Sequence, residues 1–409
     1  MIKKILKFIG YTLVIGILAL VVAFFYFYKQ LGKLGEGTLS FNKETTKIPF
    51  YYASSGHMLI DVKVNDSQET KPFILDSGAS NMIFKHHSEK LNLETNGKAL
   101  GIGATGRVFL SSIKKIDSIK VEDVGFKDLN FKETSFNFSC LENVYGLIGH
   151  GTMKHLNWQI DFEKQLITVS KKLSDLPINE NAIEIPMRIN SSSHHAYVFL
   201  KFSEDTSTKR VIVDLGSSGT LSIKEKDIIK DSLSLRKKKI YGRMSEGIGG
   251  LSKKADTESY VLADAVLFNN SNFNIKKVPV KVSPTRLNLL GLGFFKKYKT
   301  TISWSDKKLI LEPYDSIQNF IWKTNGLGMK FNREEQKLTV KSITENTTAD
   351  NSKIPVNAEI ISIDGKTITT EKEYCEYRSA KSVSDTLKIK IKDNNSVKEF
   401  QILKEEVFD

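Results

Sequence analysis

At 409 residues, 40% hydrophobic and 26% charged, the chain has room for two to four domains with packed cores. Only Cys140 and Cys375 are present, which excludes a disulfide-stapled scaffold; they fall in separate segments, where an intramolecular bridge is not expected. The net charge of +13 is spread over dispersed lysines and reads as solvated surface, and without basic-aromatic interleaving on one element no nucleic-acid partner is expected.

The first element is an uncharged run of 21 residues from Phe8 to Tyr28, long enough to cross a bilayer core as a helix. Lys3, Lys4 and Lys7 precede it and favour a cytoplasmic amino terminus. A cleaved signal peptide has a shorter apolar core and a small-x-small site. Here Ala19 and Ala23 lie four apart and bulky Phe24 and Phe25 follow, so an uncleaved anchor over residues 1–33 is the favoured reading. That makes the lipid bilayer a partner and leaves the bulk of the chain extracytoplasmic. Secretion after cleavage is the alternative.

From residue 45 the texture turns to β and the sequence repeats. Met58 to Val64 and Tyr197 to Phe202 each lead, through polar residues, into a short apolar run ending in an aspartate: FIL before Asp76-Ser77-Gly78, VIV before Asp214-Leu215-Gly216. Ile48-Pro49 matches Ile185-Pro186 upstream. Downstream, Leu147-Ile148-Gly149 matches Leu289-Leu290-Gly291, with offsets of 137, 138 and 142 residues along the way. Such a period is too long for a solenoid and describes a duplicated domain, predicted over 45–172 and 180–314. The clearest helical signal near a motif is the stretch after Thr220, SIKEKDIIKDSL.

Duplication gives the aspartates chemical meaning, because a pseudo-two-fold axis brings them face to face. Two carboxyl groups about 3 Å apart cannot both ionise cheaply and share one proton. The ionised one can take a proton from water while the protonated one polarises a carbonyl, with neither metal nor cofactor. Other chemistries lack an anchor. His86-His87 and His194-His195 are adjacent pairs whose side chains diverge on a strand, His150 and His155 lack a zinc pattern, and no GxSxG elbow occurs. These histidines read as ordinary surface or loop residues. GIGATG at Gly101 to Gly106 fits a dinucleotide pattern, but RVFLSSIKKI after it reads as a strand where that site needs a helix.

FILDSGAS, VIVDLGSSGT, GLIGHGTM and NLLGLGFF together resemble the signatures of pepsin- and retropepsin-like aspartic proteases, most of all the bacterial branch that fuses two lobes in one chain. The likeness spans roughly residues 45 to 315 and implies a mainly β, bilobal fold. It implies Asp76 and Asp214 as the catalytic pair, with Gly78 and Gly216 shaping the turns and Gly149 and Gly291 crossing beneath. Ser77 would supply the hydroxyl that links the motif loops. Leu215 stands where the family has Thr or Ser, so half of that clasp is missing. Gly101, Gly103 and Gly106 would form the flap, with Tyr241 to Gly250 as its counterpart.

After Tyr314 the pattern changes to strands near Gly326–Met329, 338–343, 359–363, 387–392 and 397–403, with a helix over 371–381. GLGM and AEIISIDGKTI resemble a PDZ domain of the protease-associated type, predicted over 318–405. The resemblance implies that backbone N–H groups of Leu327, Gly328 and Met329 receive a polypeptide carboxylate at an open sheet edge. The sum is a membrane-anchored aspartic endopeptidase acting on polypeptides, in a periplasm where two membranes exist, with an acid-leaning profile. A weakened peptide-binding scaffold and a homodimer using Asp76 alone are the alternatives.

Overall fold

A computed structural model describes residues 2–408 except 136–137, 142, 204–206, 229–235, 249, 253, 270, 272, 285–286, 315–319, 321, 381–383 and 394–395. The helix Ile2–Lys33 leads, and Lys3–Lys33 within it is long and apolar enough to cross a membrane, its most apolar window free of any packing. Its last turn seats on the first β half: Lys33 Nζ donates to the Asn96 carbonyl (2.8 Å), and Leu31 and Leu34 pack on Ala99 and Ile113.

The remainder is mainly β, built from two like halves. In the first, the strand Thr70–Asp76 delivers Asp76 at its end, and Gly146–Gly149 runs parallel to it with Gly149 beside Asp76. In the second, Lys209–Val213 ends just before Asp214 and pairs in parallel with Leu289–Leu290. Both apolar-apolar-Gly strands also pair antiparallel with the strand that follows the aspartate loop, Met82–Phe84 or Leu221–Lys224. The order is therefore the same in each half.

A six-stranded sheet joins them, contributed three strands by each copy. Its centre pairs Asn157–Asp161 antiparallel with Tyr298–Ser303, and Gln159 faces Thr301. Those two residues are repeat equivalents, 142 apart like the Gly149 and Gly291 elements, as a two-fold axis between them requires. Trp158 and Tyr298 are fully buried there, and the indole N–H donates to the Met153 carbonyl (2.8 Å), the partner a buried Trp needs. One apolar core runs through both halves.

The carboxyl-terminal strands Leu327–Asn332, Lys337–Thr344, Glu359–Ile363, Thr386–Asp393 and Ser396–Leu403 close on a separate core with the helix Glu371–Ser379. Thr370 caps that helix in a reciprocal capping box with Glu373. Lys337–Thr344 also pairs with Lys237–Gly242, so the second half's sheet continues into this unit.

Two expectations are overturned. Cys140 and Cys375 form a disulfide across 235 residues of chain. The reasoning from separate segments failed because the carboxyl-terminal unit folds back onto the first half. There Arg333 pairs with Glu371, Arg333 Nη2 donates to the Phe138 carbonyl (3.3 Å), and Cys140 N–H donates to Glu371 (3.1 Å). The stretch after Thr220 is not a helix where it is described: Leu221–Lys224 is a strand, needed to flank Leu289–Leu290, and only Glu225–Asp227 makes a 3₁₀ turn. Positions 229–233 of that stretch lie outside the described residues.

Candidate active site

Each aspartate sits where an apolar strand breaks into a small-residue turn. Gly78 N–H donates to Asp76 Oδ1 (2.9 Å), and Asp214 Oδ1 accepts from Gly216 N–H (2.9 Å) and Ser217 N–H (3.1 Å). The two turns interleave. A Cβ at position 78 would collide with the Asp214 carboxyl, and one at 216 with that of Asp76. Only glycine lets each loop come that close to the other's acid.

Both carboxyls are nearly buried and hydrogen-bond each other. Burial pushes Asp76 up to about 6 against the pull of the Gly78 N–H. Burial and then the Asp76 charge hold Asp214 well above the ordinary carboxylate range. One proton for two acids is the natural state of such a pair.

Ser77 ties the halves beneath the acids. Its fully buried hydroxyl donates to the Val213 carbonyl (2.8 Å) and accepts from Leu215 N–H (3.0 Å). Leu215, which cannot return the link, is itself fully buried in the shared core. Gly149 and Gly291 lie tight under the loops, where a Cβ would strike the Ala79 and Gly219 carbonyls respectively.

A cleft of about 1300 Å³ opens above the pair. Gly101, Gly103 and Gly106 lie at the tip of the hairpin Thr95–Ile102 and Val108–Val121, Gly106 with a φ of +73° that closes the turn. The counterpart hairpin, Glu246–Gly247 with Gly250–Leu251, meets it tip to tip; Gly249 lies outside the described residues. Gly103 abuts the Ile248 carbonyl, and Arg107 Nε donates to the Leu251 carbonyl (3.1 Å). The cleft thus has a covering from each half.

Of the carboxyl-terminal candidates, Leu327, Gly328 and Met329 lie in one strand, with a bulge between Gly328 and Met329. The Leu327 N–H already donates to Asn325 Oδ1 (3.1 Å), and the Met329 carbonyl accepts from the Tyr374 hydroxyl (3.2 Å). Met329, Lys330, Tyr374 and Arg378 line the same cleft as the aspartates.

The histidines depart from the sequence reading. His86 and His87 lie in the helix Lys85–Lys90, and His87 is buried and stacked on Tyr145 (3.8 Å between centroids). His150 is buried beside His195 (4.4 Å between centroids), and His195 Nε2 donates to the Gly78 carbonyl (3.0 Å) of the first aspartate loop. Sequence reasoning missed both because their place depends on the interlobe packing. The only sequence signal was their position, His150 next to Gly149 and His195 ahead of the strand Ala196–Phe202.

Residues 60–150 match the family described as aspartyl protease, and residues 325–403 match the PDZ domain family. Among solved structures, basic 7S globulin from soybean is similar at 8% identity, covering 67% of this chain and 95% of its own, with a TM-score of 0.41. An aspartic proteinase from Irpex lacteus is similar at 10% identity, covering 67% of this chain and 100% of its own, with a TM-score of 0.43. No curated protein sequence matches the chain.

Proposed function

We propose that the chain is an aspartic endopeptidase in which Asp76 and Asp214 form the catalytic pair. The observation that carries this reading is the interleaving of two buried carboxyls, each hemmed by the other loop's glycine, at the floor of a covered cleft. In the singly protonated pair, the ionised carboxyl takes a proton from a water molecule as the water oxygen bonds to the scissile carbonyl carbon. The protonated carboxyl gives its proton to the carbonyl oxygen, producing a diol. Collapse of the diol breaks the C–N bond: the leaving nitrogen takes the proton from the newly protonated carboxyl, and a diol hydroxyl gives its proton to the other carboxylate, restoring the singly protonated pair.

Burial lifts both acids, which favours keeping a proton on the pair. Ser77 would hold the loops in register, Gly149 and Gly291 would support them, and Gly101, Gly103 and Gly106 would serve as flap. The domain division we adopt is 1–33, 45–172, 180–314 and 318–405.

The PDZ segment would select polypeptides at the edge of Leu327–Asn332, with Gly328 and Met329 as donors, since the Leu327 N–H is already engaged by Asn325. The apolar amino-terminal helix would anchor the protein. Lys3, Lys4 and Lys7 ahead of the apolar run, together with a disulfide that suits an oxidising compartment, favour an extracytoplasmic body.

Incubation with unfolded protein across pH tests the reading. Cleavage abolished by Asp76→Asn, by Asp214→Asn and by a pepstatin-like inhibitor is expected. Binding without cleavage in every form would leave a peptide-binding scaffold, and cleavage indifferent to Asp214→Asn would leave a dimeric site built on Asp76 alone.

A further inference from the structure

One wall of the cleft holds polar groups that the peptidase chemistry does not use. The backbone gathers them: His150 N–H donates to the Ala79 carbonyl (2.9 Å) and Lys132 N–H to the Asn81 carbonyl (2.9 Å), so Ser80, Asn81, Lys132 and His150 meet beside the Asp76 loop. His150 is 4% exposed and neither ring nitrogen has a hydrogen-bond partner among the described residues. Lys132 is 7% exposed and lines the cleft, and burial is the influence that acts on its ammonium. Behind this wall, Asn81 Oδ1 accepts from Gly149 N–H (2.8 Å) and the Thr152 hydroxyl (3.1 Å), and its Nδ2 lies by Gly151, away from the cleft lining. The Ser80 hydroxyl, like the His150 ring, is unpartnered among the described residues.

Buried polar groups without partners are costly, so Ser80 and His150, lining the cleft with the Lys132 ammonium, call for a ligand that supplies acceptors. The charge is one-sided. The groups acting on His150 are His195, His194, Lys132 and Lys154, all basic. Burial pushes Lys132 down to about 8, and burial with those basic neighbours pushes His150 well below its ordinary value. An incoming carboxylate would reverse both shifts and supply the missing acceptors.

We infer that this wall is a subsite for a carboxylate of the polypeptide substrate, read by Lys132 and His150 next to the aspartate pair. The carboxylate belongs either to an acidic side chain or to a chain end. The inference rests on the peptidase reading for its substrate class, while the site itself stands on the unpartnered donors.

The test uses the full-length protein in detergent and neutral peptides through which a single Glu is walked, each with a Gln twin, plus one pair differing in a free or amidated carboxyl end. At one position the Glu peptide is expected to exceed its Gln twin in kcat/KM by roughly tenfold or more, the worth of hydrogen bonds to a charged group. Lys132→Met should bring that ratio to near one, His150→Leu should lower it, and Lys132→Arg should restore part of it. Discrimination only between free and amidated ends would assign the subsite to chain termini. Ratios near one throughout, or a ratio that survives both Lys132→Met and His150→Leu, would overturn the inference. If the wild-type protein cleaves no peptide, the peptidase reading fails by itself, and the same twins are compared by fluorescence anisotropy. Preferential binding of the Glu peptide, lost in Lys132→Met, upholds the subsite, and equal or absent binding of the twins refutes it. Should Lys132→Met fail to fold, His150→Leu and Lys132→Arg carry the comparison.

Discussion

Replacing Ser77 by Ala removes one oxygen and isolates two buried backbone groups. The Val213 carbonyl loses a donor at 2.8 Å and the Leu215 N–H loses an acceptor at 3.0 Å, both where no solvent enters. A buried polar group left unsatisfied costs roughly 1–3 kcal/mol, so the pair should cost about 2–4 kcal/mol, allowing for partial relaxation. The loss should appear as a lower urea midpoint with little change in slope, followed by tryptophan fluorescence, to which the buried Trp158 of the central sheet contributes. Ser77→Thr keeps the hydroxyl and should lie within about 1 kcal/mol of wild type. Because the two bonds cross between the halves, cleavage by Ser77→Ala should fall together with stability. A Ser77→Ala protein within about 0.5 kcal/mol of wild type would show that the hydroxyl does not bind the loops together, and the account of the clasp would fail.

Gly216→Ala should abolish cleavage, because the new methyl group occupies the place of the Asp76 carboxyl; an active Gly216→Ala enzyme would contradict the interleaved geometry. The raised acids also predict a pH effect on stability. Their folded forms hold protons that the unfolded chain, with carboxyls near 4, releases earlier, so their contribution is fully present below about pH 4; the Asp76 part is lost as pH rises through about 6, and the raised Asp214 adds to the loss in the same direction. Asp76→Asn should flatten that slope, and the wild-type-minus-variant difference measured in urea between pH 4 and 7 checks it. Cys375→Ser opens a loop of 235 residues, for which chain entropy sets a ceiling of about 5 kcal/mol. Limited proteolysis should then cut between the second half and the PDZ segment at lower protease concentration than in the oxidised protein.

Much of the architecture was legible because duplication writes itself into sequence. The paired Ile-Pro, Asp-x-Gly and apolar-apolar-Gly elements are local patterns, and each folds locally into a strand or a turn. The same holds for the carboxyl-terminal strands and for the helix starting at Thr370, whose capping box needs only four consecutive residues. Ser77 was assigned its role by resemblance, and the geometry found its hydroxyl bonded on both sides.

Contacts between segments far apart in the chain were not legible. Cys140 and Cys375 lie in different units, and no spacing rule reveals that one unit folds back over the other. His150 and His195 come from opposite halves and meet only when the lobes close, whereas Lys132 and Asn81 meet within the first half through strand pairing. The leucine at 215 gave no hint of its burial in the common core, since a buried position and a lost hydroxyl look identical in sequence. Periodicity and turn chemistry depend on neighbours along the chain, so residue order by itself determined the strands, the repeat and the two acids. Burial, proton sharing and unpartnered donors depend on neighbours in space, and only the packed lobes decided those.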